Sequence, residues 1–167
     1  GTVDFANVEH VVIAAESTSA GAYGIQSASR DGGVTIRVSG SDALTAEITA
    51  TAQTASGCSV GMNAHVGENK ILGAASDDSI TITAVNKLAE AYGLAAHNLG
   101  LNLIDTGAGH DTVVVTAKGS GNSGSCVAAG MFANYAGKNT ITTEDSTVSV
   151  SAEGSRYNHA MKVLGAG

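Results

Sequence analysis

The chain repeats itself in three ways at once, and the three repeats always come in the same order. One family of segments reads HVVIAA (10–15), AEITATA (46–52), DSITITA (78–84), DTVVVTA (111–117) and STVSVSA (146–152). Anchored on Val11, Ile48, Ile80, Val113 and Val148, its copies recur every 32 to 37 residues. A second family is YGIQS (23–27), CSVGM (58–62), YGLAA (92–96), SCVAA (125–129) and YNHAM (157–161). A third is VTIRV (34–38), NKILG (69–73), NLIDT (102–106) and NTITT (139–143). A fixed order of three short segments suits a chain that winds around an axis and stacks on its own previous turn.

Each segment alternates with period two, the pattern of a strand with one buried face. In the first family Val11, Ile48, Ile80, Val113 and Val148 form one inward set. Ile13, Ala50, Ile82, Val115 and Val150 form the next, followed by Ala15, Ala52, Ala84, Ala117 and Ala152. The residues between are mostly Thr or Ser. The expected fold is therefore all-β: a parallel β-helix (β-solenoid) of about 33–35 residues per coil, three strands per coil and four to five coils, in one domain over 1–167. A βαβ sheet lacks the amphipathic helices it needs, and hairpin folds do not require the fixed order. The segment AVNKLAEAYGLAA (84–96), with Leu88 and Tyr92 four apart, is expected to form a short turn of helix on one coil. GSGNSGS (119–125) and SDALTA (41–46) are expected to project as corner loops.

Composition fits this reading. With 22 Gly, no Pro or Trp and 4% aromatic residues, the chain has material for tight corners but little bulk for an irregular core. A net charge of −7 works against nucleic-acid and anionic-membrane partners. No apolar run approaches the roughly 18 residues of a spanning helix, so membrane insertion is not expected. Cys58 and Cys126 are expected to be unbonded. Two coil steps span about 9.6 Å, beyond the ~7 Å Cα separation a disulfide allows, and the alignment points Cys58 inward and Cys126 outward.

The recurring "AYGI…GG.VTI" and "N.I..GAG.DTV.V.A" patterns resemble the β-helical repeat regions of large bacterial surface proteins, of the autotransporter-passenger and giant repetitive adhesin type. The resemblance covers essentially the whole chain. It implies a secreted, extracellular or cell-surface location and a structural, non-catalytic role as stalk, adhesive surface or assembly surface. The implied partners are neighbouring repeats, end-to-end copies of the chain and host or surface glycans. It also suggests a slice of a longer array whose two ends lack caps and self-associate.

Several residues are candidates for chemistry. DTGAGHD (105–111) is similar to a degenerate calcium turn of RTX repeats, with Gly107, Gly109 and Asp111 matching and Thr106 replacing a glycine. Asp105 and Asp111 are thus the calcium candidates, and no other cofactor is indicated. The alternative for Asp111 is a corner cap. A phosphate loop would need a Lys/Thr pair and a following helix, and neither is present. Asn69, Asn102 and Asn139 share a column, expected to be a hydrogen-bonded ladder. Tyr23, Tyr92 and Tyr157 are expected to stack in another column, facing inward. Thr49, Thr51, Thr81, Thr83 and Thr116 form an outward Thr-x-Thr array, similar to the ice face of some antifreeze proteins. A carbohydrate-active β-helix enzyme is the other alternative. It would cluster acids or bases on one outward face, whereas the outward set of the third family reads Arg37, Lys70 or Leu72, Asp105 and Thr142. No pair among the five histidines has metal-site spacing.

Overall fold

The computed structural model describes residues 2–27, 34–40, 42–98, 100–120, 127–134 and 137–163. Three parallel sheets of five strands each wrap around one axis. The third sequence family makes β1 (Thr2–Phe5), β4 (Val34–Ser39), β7 (Gly67–Leu72), β10 (Leu101–Asp105) and β13 (Lys138–Thr142), here called sheet A. The first makes β2 (His10–Ser17), β5 (Thr45–Ala52), β8 (Ser79–Asn86), β11 (Thr112–Gly119) and β14 (Thr147–Glu153), sheet B. The second makes β3 (Ala22–Ser27), β6 (Ser59–Ala64), β9 (Ala91–Ala96), β12 (Val127–Ala133) and β15 (Tyr157–Val163), sheet C. Each strand pairs in parallel with its counterpart one coil away, giving five rungs of a β-solenoid. Among the described residues there is no helix.

Sheets A, B and C all send apolar columns to the axis. Val38, Ile71 and Ile104 come from sheet A, Ile48, Ile82 and Val115 from sheet B, and Met62, Leu94 and Met131 from sheet C, all buried in one cluster. Within a column the residues are directly paired, as in Val38↔Ile71 and Ile71↔Ile104. Burial of such ladders contributes on the order of 1.5–3 kcal/mol per large side chain.

The register of one rung differs from the sequence alignment. Ile48 pairs with Ile13 and Ile82, and Ala46 pairs with Val11 and Ile80. The segment 45–52 is therefore two residues out of step with the anchor set Val11, Ile48, Ile80. A two-residue slip keeps every side chain on its own face, so alternation cannot detect it. The corner decides it: the Leu44 N–H donates to Asp78 Oδ1 at 2.6 Å, which places Leu44 in the column of Asp78.

Two local expectations are corrected. Residues 84–96 are not helical. β8 continues to Asn86, whose Oδ1 accepts from the Leu88 and Ala89 N–H groups at 3.1 and 3.2 Å and whose Nδ2 donates to the Gly57 carbonyl at 2.8 Å. One buried side chain thus satisfies a sharp corner that a helical turn would otherwise need to make. Nor do Leu44, Thr45 and Ala46 project, although Asp42 and Ala43 are exposed: Leu44 is fully buried in the main core, and Thr45 and Ala46 already belong to β5, while residue 41 lies outside the described residues. Of GSGNSGS, Gly119 ends β11 and residues 121–125 lie outside the described residues.

Candidate functional site

The asparagine ladder forms as expected and carries hydrogen bonds in two directions. Asn69 Nδ2 donates to Asn102 Oδ1 at 2.7 Å and to the Ala95 carbonyl at 2.8 Å. Asn102 Nδ2 donates to Asn139 Oδ1 and to the Phe132 carbonyl, both at 2.8 Å. Asn139 Nδ2 donates to the Lys162 carbonyl at 2.9 Å. The ladder therefore joins rung to rung and also ties sheet A to sheet C. Its first acceptor, Asn69 Oδ1, is buried with no partner among the described residues. The neighbour on that side is Ile36, which has no donor to offer.

A second buried polar system holds the corner before sheet B. Asp78 Oδ1 accepts from Leu44 N–H and Asp78 Oδ2 from Ala74 N–H at 3.2 Å. Asp111 Oδ1 accepts from Asp78 N–H at 2.9 Å, and its Oδ2 accepts from the Thr106 and Ser146 hydroxyls. Both carboxylates thus cap the corner of the adjacent coil, the role that sequence offered for Asp111 as the alternative to calcium. Asp105 lies on the outward side of β10, where Oδ1 accepts from Gly107 N–H at 3.3 Å. Asp105 and Asp111 thus bond to different partners, and among the described residues no three His, Cys, Asp or Glu gather in a metal-holding group. Burial pushes the Asp78 carboxyl above its usual range, beyond what its amide bonds offset. Burial pushes Asp111 the same way, but the Thr106 hydroxyl, Asp78 amide and Ser146 hydroxyl outweigh it and hold the carboxyl low.

The tyrosine column is corrected on two counts. Tyr23 and Tyr92 do share a column, with Val60 between them, but Tyr157 pairs with Val127 and is exposed. The shared column also faces away from the axis. Tyr92 and Val60 join Ala95, Ala129 and Phe132 in a separate cluster on the outside of sheet C, against which Tyr23 and Cys58 pack. The reason is a bend at Gly24, Gly61, Gly93 and Gly130. These glycines face the axis, and so do the next residues, Ile25, Met62, Leu94 and Met131. Two successive inward positions reverse the alternation, so the residue before each glycine points out. Cys58 accordingly packs outward beside Tyr23, with Tyr23 Oη and Cys58 Sγ 3.4 Å apart, and not inward as its alignment suggested. Burial, followed by the contact with Cys58, pushes the Tyr23 hydroxyl up to about 12. Cys58 is a free thiol, and Cys126 lies outside the described residues.

Spacing along the sequence gave no sign that His65 and His97 would meet. Each follows its sheet C strand directly, so the coil repeat stacks their rings with centroids 5.6 Å apart. His97 also lies 5.5 Å from the Phe132 ring, which in turn packs on Tyr92 at 5.0 Å. Burial, then the proximity of His65, lowers the His97 pKa below 6.5.

The outward threonines form one column, not adjacent double rows. Thr49, Thr83, Thr116 and Ser151 are paired in succession. Thr81 lies beside Glu47, and Thr51 lies beside Glu16 and Val85. The flanking columns are therefore mixed in charge and shape. On sheet A the outward residues resolve into three columns. Thr2, Thr35, Glu68, Leu101 and Lys138 form one, Asp4, Arg37, Lys70, Leu103 and Thr140 the next, and Ser39, Leu72, Asp105 and Thr142 the last. Arg37 is ion-paired with Asp4 and Lys70 with Glu68, and a shallow recess is lined by Thr2, Asp4, Thr35, Arg37, Lys70 and Leu72.

Fold and buried polar systems together define the class: a three-sheet parallel β-solenoid whose internal ladders hold coil on coil. No protein-family model, curated protein or solved structure matches the chain. Among the described residues, no helix is long and apolar enough to cross a membrane.

Proposed function

We propose that the chain is a structural repeat module of a large, secreted bacterial surface protein, serving as a stalk and as an adhesive or assembly surface outside the cell. The observation that carries this reading is where its buried polar groups are used. Asn69, Asn102, Asn139, Asp78 and Asp111 all serve coil-to-coil hydrogen bonds. The outward columns alternate hydroxyl, charged and apolar residues, with Arg37 and Lys70 engaged by carboxylates. Such a surface suits broad, weak contacts with neighbouring segments or with surface glycans. The acidic balance of the chain keeps it off phosphate-rich polymers. In this reading the module is not an enzyme.

The test is localisation followed by binding. Antibodies raised against the purified chain should label intact cells of the source organism, and the chain should retain glycans from a surface-polysaccharide panel without shortening them. Labelling that needs permeabilised cells would remove the surface reading. Release of new reducing or unsaturated ends from any polysaccharide would favour a carbohydrate-active enzyme instead.

A further inference from the structure

We infer that the fifth rung is shaped to refuse an in-register sixth rung from a second copy of this chain. The evidence is the glycine bend of sheet C. A Cβ on Gly24 would lie 2.6 Å from the Gly61 carbonyl oxygen and 2.7 Å from Ile48 Cγ2, both in the next rung. A Cβ on Gly61 would lie 2.6 Å from Gly93 O and 2.5 Å from Ile82 Cγ2. On Gly93 the distances are 2.4 Å to Gly130 O and to Val115 Cγ1, and on Gly130 they are 2.7 Å to Ala160 O and 2.5 Å to Val150 Cγ1. The rule is the same four times: whatever rung is to receive another must have no side chain at this position. The fifth rung has Ala160 there. Its methyl group occupies the space that the Gly24 carbonyl and Ile13 side chain of a second copy would need.

Charge acts in the same direction. Glu16, Thr51, Val85, Lys118 and Glu153 form one outward column of sheet B. A second copy continuing that column would bring its Glu16 against Glu153, a like-charge pair across adjacent strands. Glu153 is also the ion-pair partner of Lys118 in the rung below. The apolar part of the face would by itself favour addition: Val148, Met161 and Val163 are core-column residues left 43, 44 and 50% exposed. An apolar strand edge of this kind is a template for more strands unless something blocks it, and Ala160 and Glu153 are the two departures that do so. The inference concerns self-addition alone and does not rest on the surface-protein reading.

The experiment compares the unaltered chain with Ala160→Gly, Glu153→Thr and the double variant by sedimentation velocity over a wide concentration range. Circular dichroism and melting check that each is folded. Val148→Asp, at an already exposed position, is added to every background to identify association through this face. The unaltered chain should show no association that Val148→Asp removes. The double variant should show such association, tighter by roughly tenfold or more, as relief of an overpacked contact implies. Association of the unaltered chain that Val148→Asp abolishes would overturn the inference, and so would a folded double variant with none.

Discussion

Asn69 and Asn102 stand one coil apart and share a hydrogen bond of 2.7 Å, each side chain also donating to a carbonyl of sheet C. Removing the middle member breaks both bonds between asparagines, together with the bond to the Phe132 carbonyl. Asn102→Ala should lower unfolding free energy by about 2–4 kcal/mol, because two donors vanish and buried acceptors lose their partner. Urea denaturation checks this, and a loss below about 0.5 kcal/mol would show that the ladder is not a main support.

The unpaired oxygen of Asn69 makes an unusual substitution informative. Ile36→Asn would place an amide beside Asn69 Oδ1, extending the ladder by one member. Ile71→Asn, two columns along on the same sheet, would bury an amide between Val38 and Ile104. Both lose apolar burial, but only the second leaves the new group without a ladder to join. Ile36→Asn should therefore be the milder by about 1–2 kcal/mol. Equal midpoints in a denaturant titration would count against this account.

On sheet B the inward and outward faces can be separated by one residue. Ile82 is fully buried and Thr81 is partly exposed beside Glu47. Ile82→Asp should unfold the chain or destabilise it by more than about 4 kcal/mol. Thr81→Asp should cost about 1 kcal/mol or less, chiefly from repulsion by Glu47. Melting temperatures of the two variants provide the comparison.

Acid should weaken the solenoid in separate windows. His97 has a folded pKa lowered below 6.5, so the unfolded chain binds the proton first, and stability falls as pH drops from 6.5 toward the folded value. His97→Asn, matching Asn134 at the equivalent place on the next coil, should flatten stability between pH 7 and 5. Asp111, held low, supplies stability above 3.8 that is lost as pH falls through its folded pKa. Asp78, raised above 3.8, acts in the opposite sense: its protonation on acidification recovers stability down to that value. Denaturation midpoints at pH 7, 5 and 3.5 for the parent, His97→Asn and Asp111→Asn separate these contributions. A parent curve that is flat from pH 7 to 5 would remove the histidine contribution.

The solenoid itself was legible because the three families keep their order and alternation, and the asparagine column was legible because Asn69, Asn102 and Asn139 each stand two residues before an isoleucine, Ile71, Ile104 and Ile141. What escaped did so for physical reasons. Segment 45–52 slipped by two because a slip of two is silent to hydrophobic pattern and is settled by Asp78 at the corner. Tyr23 and Tyr92 were turned inside out because the glycine bend puts two residues in a row toward the axis. The recurrence Tyr-Gly-Ile, Val-Gly-Met, Tyr-Gly-Leu and Ala-Gly-Met was the available sign. Aligning on it would also have dropped Tyr157 from the column and exposed Ala160 as the exception. His65 and His97 needed the coil repeat itself as the ruler.

The backbone bonds between rungs run along the axis, from Val8 to Ser39 and from Thr45 to Glu9, and the same arrangement recurs at each step up the stack. Tension along that axis loads the rungs in series, so the weakest rung yields before its neighbours feel more than the common force. A rung occupies only about 4.8 Å of the axis, yet holds enough chain to extend by roughly 110 Å once released. Pulled from its ends, the molecule should behave as a reel that lengthens one coil at a time, each step absorbing the work of breaking a single layer of bonds.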